Sequence, residues 1–343
     1  MLLGDEEKVE LPVGSHIFEF SLSVPMSAAP TEGSTYGRIR HYLTARVAHL
    51  GTLGGDLLSE RLPVYFIANP LVDGVPMPTP SFQAHVEEAE ADKTGPWALD
   101  LRSQHSTIGG LLLFRLVFYA PPTTLRIHSV KLNILQHSVL QPPNQPGALV
   151  APPPAPHIIS ILDSSSPPSG ATLVEDGRGA SRRDLSSREP LAVGNGQPLE
   201  LLHLARIPNV QHRLRASTME GVDTPLALRH TVEVDVLYWE EEEQAGRSGK
   251  GKRQKPELLR LKVIKSIQLF SCLNLLDSLR LPSYSAKDTS TLSVDGPLDI
   301  KVPCICTLSA DELLAKHADL LLDLEPVQGR TTDLVAEAIR AKR

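Results

Sequence analysis

Cys304 and Cys306 stand one residue apart, and His317 follows them. Thiols with a nearby imidazole are soft donors of the kind that hold zinc. The C-x-C spacing lacks the two-residue gap of a zinc knuckle, and the third cysteine, Cys272, is distant in sequence. The three are therefore read as thiols near a strand end, with no metal and no cofactor expected. A second candidate is Leu281-Pro282-Ser283-Tyr284. A proline with a tyrosine just beyond it can lie in the aromatic-lined grooves of WW domains, although the stronger motif has another proline where Leu281 stands. A third is Arg38, Arg40 and Arg46, which share one face of an extended segment. Guanidinium groups so arrayed can meet phosphorylated tails or anionic lipid. His230, on an apolar strand face, reads as a hydrogen-bonded core histidine. The sequence contains no G-x-S-x-G, H-E-x-x-H, Walker or Rossmann pattern, and nothing groups its scattered Ser, His and Asp, so no enzyme is expected.

Composition narrows the classes further. The net charge is -6, with both signs mixed along 343 residues. That argues against a dedicated nucleic-acid binder, which presents a basic face and a high pI. The start, "MLLGDEEKVEL", has no basic flank and no long apolar stretch, so it does not read as a signal peptide. The most apolar run, "GGLLLFRLVFYA", is too short to span a bilayer and contains Arg115. Few cysteines and no leader point to a soluble protein in a reducing compartment, the cytosol or the nucleus.

The elements that must position these residues read as strands. In "LPVGSHIFEFSLSVP" (Leu11 to Pro25), His16, Phe18, Phe20, Leu22 and Val24 fall on one face. "YGRIRHYLTARVAHL" (Tyr36 to Leu50) and "LPVYFIANPL" (Leu62 to Leu71) read as the next two. "LLLFRLVFY" (Leu111 to Tyr119) and "TLRIHSVKLNILQHSV" (Thr124 to Val139) follow. The alternation of the second slips between Ile127 and Val130, which predicts a bulge. "LRHTVEVDVLYW" (Leu228 to Trp239) alternates most cleanly, and "LLRLKVIKSIQLFSC" (Leu258 to Cys272) is its expected partner.

Between these runs the composition changes. Residues from about 141 to 198 are rich in Pro, Ser, Gly and charge, and read as a disordered insertion in which "HIISIL" can add a strand. The acidic-then-basic stretch 240–257 reads as a solvated loop. In the tail, Ser309 and Glu312 form a capping-box pattern before a leucine stripe, and "TTDLVAEAIRAKR" reads as a second short helix. Many short strands without βα alternation predict an all-β protein of immunoglobulin-type sandwiches in tandem, with a short C-terminal helix. The expected units are a partial N-terminal sandwich over 1–90, a C-terminal sandwich over 91–290 and a tail over 291–343.

The strand sequences resemble a known family. Gly14, His16, Phe18, Phe20 and Pro25, then Ser34, Gly37, Tyr42, Leu43, Ala45 and Val47, are similar to a strand pair in the N-terminal domain of fungal arrestin-like proteins. The stretch from Ala205 to Tyr238, the Ser-Cys and L-P-x-Y run from Ile267 to Tyr284, and Cys304-x-Cys306 resemble that family's C-terminal region in the same order. The resemblance implies a non-enzymatic adaptor in membrane-protein trafficking. It would bind cytoplasmic tails of transporters or receptors and recruit a HECT-type ubiquitin ligase, whose WW domains would meet Leu281 to Tyr284. It implies a cytoplasmic protein recruited to plasma membrane or endosomes, with peripheral membrane association and no nucleic-acid partner. In that family several strands precede the one at Leu11, so the resemblance also implies a truncated N-terminal domain, a truncated gene model, or a partner that supplies the missing edge. The alternatives are an arrestin-fold coat or sorting scaffold without ligase contact, and a non-functional fragment.

Overall fold

The computed structural model describes residues 13–18, 20, 22–25, 27–50, 55–68, 81–85, 94–103, 106–121, 125–145, 147–163, 190–194, 196–239, 258–273, 304–309, 312–313 and 330–331. Regular structure among them is nearly all strand. The first six strands are short: β1 (Glu32–Gly33), β2 (Arg38–Ile39), β3 (His41–Leu43), β4 (Arg46–Leu50), β5 (Gly55–Leu58) and β6 (Leu62–Val64). They form three antiparallel two-stranded ribbons, β1 with β2, β3 with β6 and β4 with β5. Of the described residues in the expected N-terminal unit over 1–90, these ribbons account for all the strands except Ser81–His85, which pairs instead with Trp97–Arg102 of the later sandwich.

Longer strands follow: β7 (Ser81–His85), β8 (Trp97–Arg102), β9 (Leu111–Phe118), β10 (Arg126–Leu140), β11 (Ala155–Asp163), β12 (Ala192–Val193), β13 (Leu199–Arg206), β14 (Leu226–Trp239), β15 (Leu259–Ile267) and β16 (Arg330–Thr331). They make two five-stranded sheets. One runs β11-β10-β14-β15, with β12 also pairing β10; the other runs β16-β13-β9-β8-β7. All pairings are antiparallel except β13 with β16. Leu112, Phe114, Leu116, Leu99 and Leu201 of one sheet share a single buried cluster with Val130, Leu132, Ile134, Val232, Val234 and Val236 of the other. Burial of these facing side chains holds the sandwich together, at roughly 25 cal/mol for each Å² of apolar surface removed from water.

The period-two pattern of Leu228 to Trp239 has the expected outcome. Val232, Val234 and Val236 are each 1% exposed, and Arg229 on the opposite face is exposed. β15 pairs with β14 as the sequence predicts, Val236 opposite Leu261 and Val234 opposite Val263. The slip in β10 is a bulge: Ile127 pairs with Tyr238 and Ser129 with Leu237, so His128 is the extra residue. Its ring packs edge-on against Trp239, with centroids 4.4 Å apart. Gly95, in the turn before β8, has φ +69°, and a Cβ there would lie 2.2 Å from the Ala120 carbonyl oxygen, so only glycine fits.

Four expectations are corrected. The described residues of 13–25 form no strand, and Phe18 and Phe20 are exposed, because no described strand offers them an edge. The run from Tyr36 to Leu50 is broken into β2, β3 and β4, each with a different partner. The first part of the expected insertion is ordered. Leu140 and Val150 exchange backbone hydrogen bonds of 2.8 and 2.9 Å, and the proline-rich connection delivers β11 to the free edge of β10. Burial of Ile159, Ser160 and Asp163 then offsets the ordering entropy that composition alone cannot. Thr331, expected to open a second short helix, lies with Arg330 in β16 instead. Residues 164–189 and 240–257 and most of the tail lie outside the described residues. The capping box is present, with Ser309 N–H donating to Glu312 Oε2 at 2.7 Å and Glu312 N–H to Ser309 Oγ at 3.2 Å.

Candidate functional site

A cleft of ≈ 730 Å³ runs between the short ribbons and one end of the sandwich. Arg215 ties its two walls together. The Arg215 backbone is held by Gln136 Oε1, and its guanidinium donates to the Val210 carbonyl at 2.9 Å. On the far side it reaches the Gly33 carbonyl and pairs with Glu32 at 3.3 Å. Burial pushes the Glu32 carboxyl up, opposed by the Gly33 N–H and the Arg215 charge. The ribbon wall is braced from within by Thr31, whose N–H donates to the Phe66 carbonyl while the Phe66 N–H donates to Thr31 Oγ1. His41 stacks on Phe66 with centroids 4.2 Å apart and bonds the Ala29 carbonyl.

Arg38, Arg40 and Tyr42 line this cleft, as do Leu269 and Phe270. Arg38 and Arg40 are exposed. The structure therefore brings two of the three predicted arginines to one concave surface and separates the third. Arg46 sits on the β4–β5 ribbon and pairs with Asp56. The predicted common strand face is lost because the strand itself is broken between β2, β3 and β4. Leu281, Pro282, Ser283 and Tyr284 lie outside the described residues.

The sandwich core holds two histidines with ordinary structural partners. His230 Nδ1 bonds Ser217 Oγ at 2.8 Å, as expected of a satisfied core histidine. His203, on β13, bonds Ser160 Oγ of β11 across the sandwich at 3.0 Å. Burial pushes the imidazole of His203 down to about 4 and that of His230 to about 3, so both are neutral at physiological pH.

The three cysteines meet, which reading along the chain did not foresee. The Sγ atoms of Cys272, Cys304 and Cys306 all lie within 4.8 Å of one another. Cys272 follows β15, and its carbonyl accepts from Ile305 N–H at 3.2 Å. Ile305 is 4% exposed and anchors the short turn that carries the other two thiols. Arg206, at the end of β13, donates to the carbonyls of Gly109, Ile305 and Cys306 and so fixes that turn against the β9 end of the sandwich. Hydrogen bonding from the Cys272 thiol holds Cys306 down to about 6, with Arg206 adding its charge. Cys272 is pushed up, chiefly by that same proton sharing, and Cys304 by burial. The signal available beforehand was the C-x-C pair; Cys272 could be joined to it only in three dimensions.

The fold defines an all-β sandwich protein. The sequence matches no protein-family model and no curated protein. No helix among the described residues is long and apolar enough to cross a membrane.

Proposed function

We propose that this chain is a non-enzymatic, arrestin-like adaptor in membrane-protein trafficking. It holds cytoplasmic tails of transporters or receptors and recruits a HECT-type ubiquitin ligase through Leu281 to Tyr284. The observation that supports this reading best is the cleft, whose lining includes the exposed Arg38 and Arg40 together with the apolar Leu269 and Phe270. Such a surface suits an extended acidic or phosphorylated peptide: backbone and apolar side chains lie along the wall while anionic groups meet the guanidinium pair. The ordered similarity of strands and motifs to fungal arrestin-like proteins supports the same role. Work of this kind takes place in the cytoplasm, with recruitment to plasma membrane or endosomes.

Two binding measurements on the full chain test the reading. A labelled phosphorylated tail peptide should bind wild type and bind Arg38→Glu/Arg40→Glu about tenfold more weakly or worse, each tenfold step corresponding to about 1.4 kcal/mol. Isolated WW domains of a HECT ligase should bind wild type but not Tyr284→Ala. Peptide binding without WW binding would replace the ligase adaptor with a coat or sorting scaffold. Failure of both by a folded chain would overturn the proposal.

A further inference from the structure

Three thiols drawn from two distant parts of the sequence converge at the open end of the sandwich. We propose that Cys272, Cys304 and Cys306 form a zinc site that clips the C-terminal segment to the sandwich. The ligand chemistry is specific: thiolates are soft donors and select zinc among the common divalent ions. With Zn–S bonds of about 2.3 Å, a tetrahedral ion needs its sulfurs about 3.8 Å apart. Sulfurs already within 4.8 Å of one another reach that spacing by small side-chain rotations.

The surroundings are built as a metal site requires. Cys306 N–H points at Cys304 Sγ at 3.4 Å, an N–H to sulfur contact that lowers the charge on a bound thiolate. Arg206 holds the turn by two of its carbonyls and supplies a positive charge beside the negative zinc trithiolate. Gly109 has φ +76°, and a Cβ there would lie 3.0 Å from Cys306 Sγ, so the glycine leaves the sulfur its position. Cys272 and Cys304 line the cleft, which gives the ion a path in from solvent and leaves its fourth position to water or a further side chain. On binding, each protonated thiol releases its proton to solvent as its sulfur takes up the metal.

The clip has a structural consequence. Its ligands lie on both sides of the stretch 273–303, which contains Leu281 to Tyr284. A cross-link closing a long loop removes chain entropy from the unfolded state, and here it would tether both ends of the segment that carries the proposed ligase motif. The metal site stands on the thiol geometry alone and does not depend on the adaptor reading.

The full chain, purified under reducing conditions without chelator, should carry one zinc per molecule by elemental analysis. The zinc-free protein titrated with cobalt(II) should show an intense thiolate-to-cobalt charge-transfer absorption that saturates at one equivalent and is displaced by zinc. Cys304→Ser and Cys306→Ser should each reduce bound zinc to background. The cobalt spectrum of wild type decides the matter if either variant fails to fold. Folded wild type that binds neither metal would overturn the proposal. So would zinc content unchanged by both substitutions, or an intact mass showing a disulfide among the three cysteines.

Discussion

His203 and His230 show how a single side chain makes this fold sensitive to acid. Each is a neutral imidazole in the core, and burial holds its folded pKa near 4 and near 3 against an ordinary value of 6.5. The unfolded chain therefore takes up protons at a pH where the folded chain does not. Their contribution is fully present above pH 6.5. It is lost as the pH falls, for His203 down to about 4 and for His230 down to about 3. Each histidine removes about 1.4 kcal/mol per pH unit within its window. Urea unfolding at pH 7 and pH 5 should show a marked loss at the lower pH. His203→Gln, which keeps a polar partner for Ser160, should flatten that dependence by one proton. Equal stability at the two pH values would mean that these imidazoles are not buried as described.

At the scale of elements, β15 is the exposed edge of its sheet among the described residues, and its residues explain why it can stay one. Arg260 pairs with Asp235 at 2.5 Å and Lys262 with Glu233 at 2.7 Å, both across to β14, while Lys265 stands exposed. Cations along an open edge oppose pairing with a second chain. Ile264, 51% exposed on the same strand, would otherwise invite it. Replacing Lys262 and Lys265 together by valine should produce concentration-dependent association, read by light scattering, and should lower the monomer's unfolding midpoint, because the nearly buried Glu233 carboxylate loses its Lys262 partner. A double variant that stays monomeric at high concentration would show that another feature guards this edge. Arg115 and Glu200 do comparable work inside the other sheet. Their 2.7 Å pair is about nine-tenths buried and joins β9 to β13. Removing one partner of such a pair is more costly than replacing both.

At the scale of the whole molecule the buried apolar residues are unevenly placed. Among the described residues they begin at Trp97, while Phe18, Phe20, Leu22, Leu57, Leu58 and Tyr65 are exposed. The ribbons are joined to the sandwich through Arg215 and by the Asp223 N–H donating to the Ser27 carbonyl. Cooperative stability therefore resides in the two five-stranded sheets, and the ribbons unfold at lower cost. A fragment starting at residue 69 should keep a single cooperative thermal transition close to that of the full chain. Loss of the transition would show that the ribbons support the core more than their contacts imply.

How much was legible beforehand follows from what each feature depends on. Period-two burial is a local property, so β14, its pairing with β15 and the bulge at His128 could be read from Ile127, Val130 and the valines of Leu228 to Trp239. The capping box at Ser309 and Glu312 was legible for the same reason, since its two partners lie within one helical turn. The strand expected at Leu11 to Pro25 was misread because alternation records a preference, and a strand also needs an edge to pair with. The strand offered at His157 to Leu162 is the body of β11, but the order of its proline-rich approach was hidden, because that stretch resembles a linker until the free edge of β10 is in place. Arg38 and Arg40 were visible as charges, but their shared cleft, and the departure of Arg46 to another ribbon, depend on where the chain breaks between β2, β3 and β4. The sequence by its own periodicity determined an all-β chain and its principal hairpin. Only the tertiary structure decided that Cys272 meets Cys304 and Cys306, because distance along the chain carries no information about which loop ends a packed sandwich brings together.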